Sequence, residues 1–102
     1  MENIKHIAES NHGSFNYEVD GHKLAEMVYE MSTEKLMVID HTEVDESLKG
    51  QGIGKKLLAT LVDYVRANQI KVIPICPFAN ATFQKTQEWQ DVLANFNIKD
   101  KV

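Results

Sequence analysis

The chain is poor in the residues that staple, break or anchor a polypeptide: among 102 residues there are one cysteine, two prolines and five glycines. A single thiol, Cys76, excludes an internal disulfide and cannot supply a metal site alone, which fits a reducing compartment. His6, His12 and His22 lie in separate segments without ligand spacing, so no metal is expected. No apolar run is long enough to span a bilayer, and the opening "MENIKHIAES" has no apolar core of signal-peptide length. These absences predict a soluble, cytoplasmic protein with no membrane partner. A net charge of −4 argues against a general nucleic-acid binder, so any anion recognition must come from local clusters. Without repeats, low-complexity tracts or an obvious linker, residues 1–102 are expected to form one domain with a modest core.

What is present is periodicity. Phe15, Tyr17 and Val19 alternate with polar residues, Asp20-Gly21 offers a hairpin turn, and residues 22–31 pair back. Ser32 and Thr33 suggest a second tight connection before "KLMVIDHTEV" (35–44), the most apolar strand of this part. Strict alternation puts Met37, Ile39, His41 and Glu43 on one face and Leu36, Val38, Asp40, Thr42 and Val44 on the other. Ile53, Leu57, Leu58, Leu61, Val62 and Val65 recur at helical spacing, and that helix is predicted to end near Asn68. "IKVIPIC" (70–76) reads as a short buried strand whose Pro74 marks an edge or a break. Helical spacing returns from Phe78 to about Leu93, with Phe83, Trp89 and Phe96 as core anchors. The expectation is an α+β (mixed α/β) fold of order β-β-β-α-β-α, its sheet mostly antiparallel and covered by two helices.

The stretch "LKGQGIGKKLL" (48–58) stands apart. A helix start leaves backbone N–H groups without partners, and a Ser, Thr, Asp or Asn cap with early acidic residues usually satisfies them. Here Gly50, Gly52 and Gly54 replace the cap, while Lys49, Lys55 and Lys56 crowd the positive end of the dipole. Each such cation is unfavourable by roughly 0.3–1 kcal/mol. A bound anion, phosphate above all, resolves both oddities, because glycines let it approach the amides and lysines neutralise it. The plain alternative is a flexible turn with solvated lysines. A Walker A loop is excluded, since Lys49 stands where its first glycine belongs and Lys56 where its hydroxyl belongs. A dinucleotide fingerprint fails as well, its third glycine falling on Lys55 or Leu57.

"KGQGIG" resembles the pyrophosphate loop of the GNAT superfamily of acetyl-CoA-dependent N-acetyltransferases, whose pattern is Gln/Arg-x-x-Gly-x-Gly/Ala after a long strand. Lys49, Gly52 and Gly54 take the patterned places, and Lys49 keeps the charge of an arginine without its planar fork. The resemblance runs over residues 14–93 and is nearest to a small, truncated branch carrying "HTEV" (41–44) and "CPF" (76–78). It implies a sheet splayed between the strands 35–44 and 71–76, with acetyl-CoA, or coenzyme A, in the cleft. Backbone groups of Thr42 and Val44 would hold the pantetheine arm, and amides of Gly50, Gln51, Gly52, Ile53, Gly54 and Lys55 the pyrophosphate. Lys49, Lys55 or Lys85 would meet the 3′-phosphate, and Asn80 takes the place of a family asparagine that contacts the arm.

By that analogy the activity is acetyl transfer to an amine: a peptide, a protein lysine or a small polyamine. Glu43 or His41 is then the candidate base. Phe83 stands near the place of the family's tyrosine acid and cannot donate a proton, which turns attention to Cys76 as acid or acyl carrier. The competing roles are a strand end solvated by His41 and Glu43 and a small buried filler at Cys76. The superfamily's helices between its first two strands are missing here, so the acceptor side should be open. A non-catalytic acyl-CoA-binding or protein-interaction module is the rival, as a monomer or homodimer.

Overall fold

The computed structural model describes residues 3–94. Four strands, β1 (Ile4–Ala8), β2 (His12–Val19), β3 (His22–Thr33) and β4 (Leu36–Val44), form an antiparallel meander. β5 (Lys71–Pro74) adds to β4 in parallel, so the spatial order of strands is their chain order. A parallel neighbour requires a crossover, and helix α1 (Ile53–Asn68) supplies it. Helix α2 (Pro77–Lys85) follows β5, with Pro77 in its first turn, where the missing N–H is harmless.

Local chemistry accounts for the turns. Asp20 and Gly21 both take positive φ, 52° and 79°, as a two-residue hairpin turn requires. α1 stops where Gln69 enters the left-handed region and its N–H returns to the carbonyls of Val65 and Arg66. The apolar stripe of α1, from Ile53 to Val65, is buried against Phe15, Met27, Tyr29, Met37 and Ile39, and Ala79 and Phe83 of α2 close the same core. The core thus lies on one face of the sheet. Ser14, Val28, Val38, His41 and Glu43 point to the other face, on which no described element packs.

The α+β class agrees with the expectation, and three details are corrected. The sheet has a further strand, β1, at its start, giving β-β-β-β-α-β-α. Its pattern is disguised because a histidine occupies the apolar place: His6 stacks on Phe15 at 4.1 Å between ring centroids, meets Tyr64 edge-on and bonds the Tyr29 hydroxyl at 2.7 Å. Next, the last helix does not run to Leu93. It ends at Lys85, the capping Thr86 hydroxyl bonds the Thr82 carbonyl, and a 3-10 segment Gln87–Val92 carries the half-buried Trp89 and the buried Val92 onto the core. Phe96 lies outside the described residues.

The third correction bears on function. β3 pairs Tyr29 with Ile39 but Val28 with His41, leaving Asp40 as an extra residue in a β-bulge. A one-residue slip exchanges the faces of everything beyond it. Met37 and Ile39 therefore face the core, whereas His41 and Glu43 face the uncovered side and Thr42 turns inward, contrary to strict alternation.

Candidate functional site

The loop before α1 has the backbone its glycines suggest. Gly50 and Gly52 sit at φ 81° and 71°, a region that suits glycine, and a Cβ at either would meet only open space. Gly54 serves differently: a Cβ there would lie 2.8 Å from the Phe78 ring, so this glycine lets α2 pack against the helix start. α1 has no side-chain cap and no acid in its first turn, and its first intrahelical bond runs from the Lys56 N–H to Gly52. The amides of Ile53, Gly54 and Lys55 are thus the free donors of a helix N-terminus.

These amides open onto a groove of about 830 Å³, within the range typical of small-molecule sites. Its walls bring together Val44, Lys49, Gly50, Gly52, Ile53, Gly54, Lys55 and Lys85, eight of the residues expected from sequence. Lys55 is placed above Trp89, 5.9 Å from the ring centroid. Lys49 reaches Glu46 at only 3.8 Å with both side chains largely exposed, a pairing worth little. Asp45 is turned away to Ser47, whose N–H and hydroxyl hold its carboxyl below the usual carboxylate range. The residues fit a polyphosphate: free helix amides, lysines and left-handed glycines open to solvent.

Three expected residues lie outside that wall. Gln51 turns back to the Ser47 carbonyl, Asn80 donates to the Pro74 carbonyl, and Thr42 points inward to Cys76. Sequence reasoning in turn missed Thr82 and Thr86, which line the groove from one face of α2, four residues apart. That spacing was the available signal.

Val44 of the groove wall lies at the end of β4 beyond the point where β5 parts from it. β5 leaves β4 after Pro74, where the Ile39 carbonyl accepts from both Ile75 and Cys76. Asp45 donates to Leu24 of β3, so by alternation the backbone groups of Thr42 and Val44 face the opposite, open edge of β4. Cys76 closes the bottom of the gap, 2% exposed, its Sγ 3.3 Å from the Thr42 hydroxyl. His41 and Glu43 stand exposed on the far side of the strand. Among the described residues no group of three potential metal ligands comes together.

An antiparallel meander, a parallel fifth strand that parts from the fourth, and a cationic glycine loop beside the gap make up the arrangement that the resemblance to acyl-CoA-dependent transferases implies. The comparisons make this specific: a family model described as GCN5-related N-acetyl-transferase matches residues 14–92. A GCN5-like candidate N-acetyltransferase from Staphylococcus aureus, known by its solution structure, is 35% identical, with 95% of this chain and 94% of that chain covered and a TM-score of 0.71. The chain belongs to the GCN5-related N-acetyltransferase family, for which acetyl-CoA is the acetyl donor.

Two more distant structures share the fold. The ribosomal-protein-S18-alanine N-acetyltransferase of Escherichia coli is 17% identical at a TM-score of 0.64, and the match covers 76% of this chain but only 53% of that enzyme. A candidate streptothricin acetyltransferase of Bacillus anthracis, in complex with acetyl coenzyme A, is 16% identical at a TM-score of 0.58, covering 78% of this chain and 47% of that one. No curated protein matches the chain.

Proposed function

We propose that this protein transfers the acetyl group of acetyl-CoA to an amine that approaches from the uncovered face of the sheet. The observation that carries the reading is the bulge at Asp40, which places His41 and Glu43 on that face and the open backbone edge of Thr42 and Val44 beside the glycine-loop groove. When bound, acetyl-CoA supplies an activated thioester. The residues that would hold it are the free amides of Ile53, Gly54 and Lys55, the ammonium groups of Lys55 and Lys85, and the backbone of Thr42 and Val44.

Glu43, with His41 beside it, acts as the base: an amine attacks only after losing a proton, and a carboxylate on the approach side can take it. Cys76 acts as the proton donor at the opposite end. Its thiol lies beneath the gap within reach of the Thr42 hydroxyl, a two-member path for a proton. Burial at 2% argues against an acyl-carrying nucleophile, which must meet its substrate directly.

The test compares Cys76→Ser, Cys76→Ala and Glu43→Gln in steady-state acetyl transfer with intact mass in parallel. Glu43→Gln should lower kcat by about 10²-fold or more. Cys76→Ser should retain more activity than Cys76→Ala with no acetylated protein at any stage. An acetyl adduct on Cys76 would make the thiol a carrier instead, and full activity of Glu43→Gln would remove it as base. The rival, a module that binds acetyl-CoA without turnover, predicts tight binding and no product with any amine.

A further inference from the structure

We infer that Trp89 is a positioning residue for the cofactor: its indole face holds the Lys55 ammonium at the groove, ready for the phosphates of acetyl-CoA. The inference rests on the groove being the acetyl-CoA site, and it gives a second role to a side chain that the sequence marks only as a core anchor.

Lys55 needs something to hold it. It lies exposed in the first turn of α1, where the helix dipole is positive and repels a cation, and a long side chain free in solvent loses rotamer entropy when a ligand fixes it. Other lysines are held by carboxylates, Lys5 by Glu18, Lys23 by Glu26 and Lys49 by Glu46, whereas no ion pair forms at Lys55 among the described residues. A carboxylate there would cancel the charge that an anion seeks. The Trp89 ring takes that place instead, its centroid 5.9 Å from Nζ and so at the outer edge of cation–π range. Indole attracts an ammonium more strongly than the other aromatic faces, and it leaves the positive charge in place.

Trp89 is itself fixed. Its backbone N–H bonds the Thr86 carbonyl at 3.0 Å, and its ring meets the buried Phe83 edge-on at 6.3 Å between centroids. The 3-10 segment that carries it is tied to three other elements: Gln90 donates to the Phe83 carbonyl of α2 at 2.8 Å, Arg66 of α1 reaches Asp91 and the Glu88 carbonyl, and Lys71 of β5 donates to the Asp91 carbonyl at 2.7 Å. The platform beneath Lys55 is therefore anchored to the core. Lys85 and Thr86, just before this segment, line the groove together with Lys55, but Trp89 is not in the groove wall and acts through the lysine.

The experiment measures the Kd of acetyl-CoA and of S-acetylpantetheine, which lacks every phosphate, for the native protein, Trp89→Phe, Trp89→Leu, Lys55→Ala and the double variant Lys55→Ala/Trp89→Leu. Trp89→Leu should weaken acetyl-CoA by about threefold and S-acetylpantetheine not at all, with the loss fading in high salt and Trp89→Phe falling between. In the double variant the Trp89 change should add nothing to the loss from Lys55→Ala. Equal weakening of both ligands would make Trp89 a structural support alone, and additive losses would separate it from Lys55; either result overturns the inference. Trp89 is the only tryptophan in the chain, so the native protein carries its own probe should Trp89→Leu fail to fold. Inorganic pyrophosphate, which has no base to stack on the ring, should change the indole emission as Lys55 turns to it, and Lys55→Ala should abolish most of that change. Pyrophosphate bound with no change in emission also overturns the inference. Failure of acetyl-CoA to bind the native protein would remove the cofactor site, whereas tight binding that is insensitive to Trp89 removes only the positioning role.

Discussion

The two sides of β4 at its C-terminal end present opposite chemistries. On the groove side, helix amides, Lys55 and Lys85 offer donors and positive charge; on the uncovered face, Glu26 and Glu43 offer carboxylates. A single strand divides a positively charged side from a negatively charged one, and the bulge at Asp40 is the device that sets His41 and Glu43 on the latter. A regular strand would turn His41 and Glu43 into the core, where unpaired charges are costly.

The sharpest way to break this contrast is Thr42→Glu, which sets a carboxylate on the inward side of the strand beside the buried Cys76. Burying an unpaired charge there should cost about 3 kcal/mol in stability. A melting curve and an acetyl-transfer assay should show a partly unfolded, inactive protein; a stable, active variant would mean that residue 42 does not face inward. Next in size is Gly52→Val, which forces a β-branched residue into the left-handed region at φ 71°. The strain is about 1–2 kcal/mol, with a fall in melting temperature of about 4–8 °C for each kcal/mol, and acetyl-CoA binding should weaken beyond what stability explains.

A charge exchange tests whether the two sides are independent. Lys55→Ala and Lys85→Ala should each weaken acetyl-CoA binding by about three- to tenfold, less so in high salt, while Glu26→Gln leaves it unchanged. Isothermal titration at two ionic strengths checks this, and equal effects from both sides would merge them into one site. The smallest effect belongs to β1. Burial lowers the titration of His6 below its ordinary value, so the folded state favours the neutral ring. The unfolded chain then binds more protons between the folded value and pH 6.5, and stability should decline as pH falls through that window. His6→Phe should flatten the slope in urea melts, and an unchanged slope would assign it to another group.

Much of this was legible beforehand. The Asp20-Gly21 turn, the α1 stripe and the lysine-flanked glycines are local signals, because φ preferences and the periods of two and 3.6 act over a few residues. The groove wall from Lys49 to Lys55 followed from them and from the family resemblance. The face of His41 and Glu43 did not. Nothing in "VIDHTEV" marks Asp40 as a bulge; it arises because β3 must keep Tyr29 opposite Ile39 and Ala25 opposite Val44. The place of Gly54 against Phe78, the burial of Cys76 beside Thr42 and the His6 slot depend likewise on segments distant in the chain. Sequence by itself determined strands β2 to β5 in outline, the Asp20-Gly21 turn, the α1 stripe and the glycine-rich helix start, since these are set by neighbouring residues. Only the tertiary structure decided which side chains share a face and that Lys5, Asn16, Glu26 and Glu43 form a row, because register is a contest among whole strands for one common core.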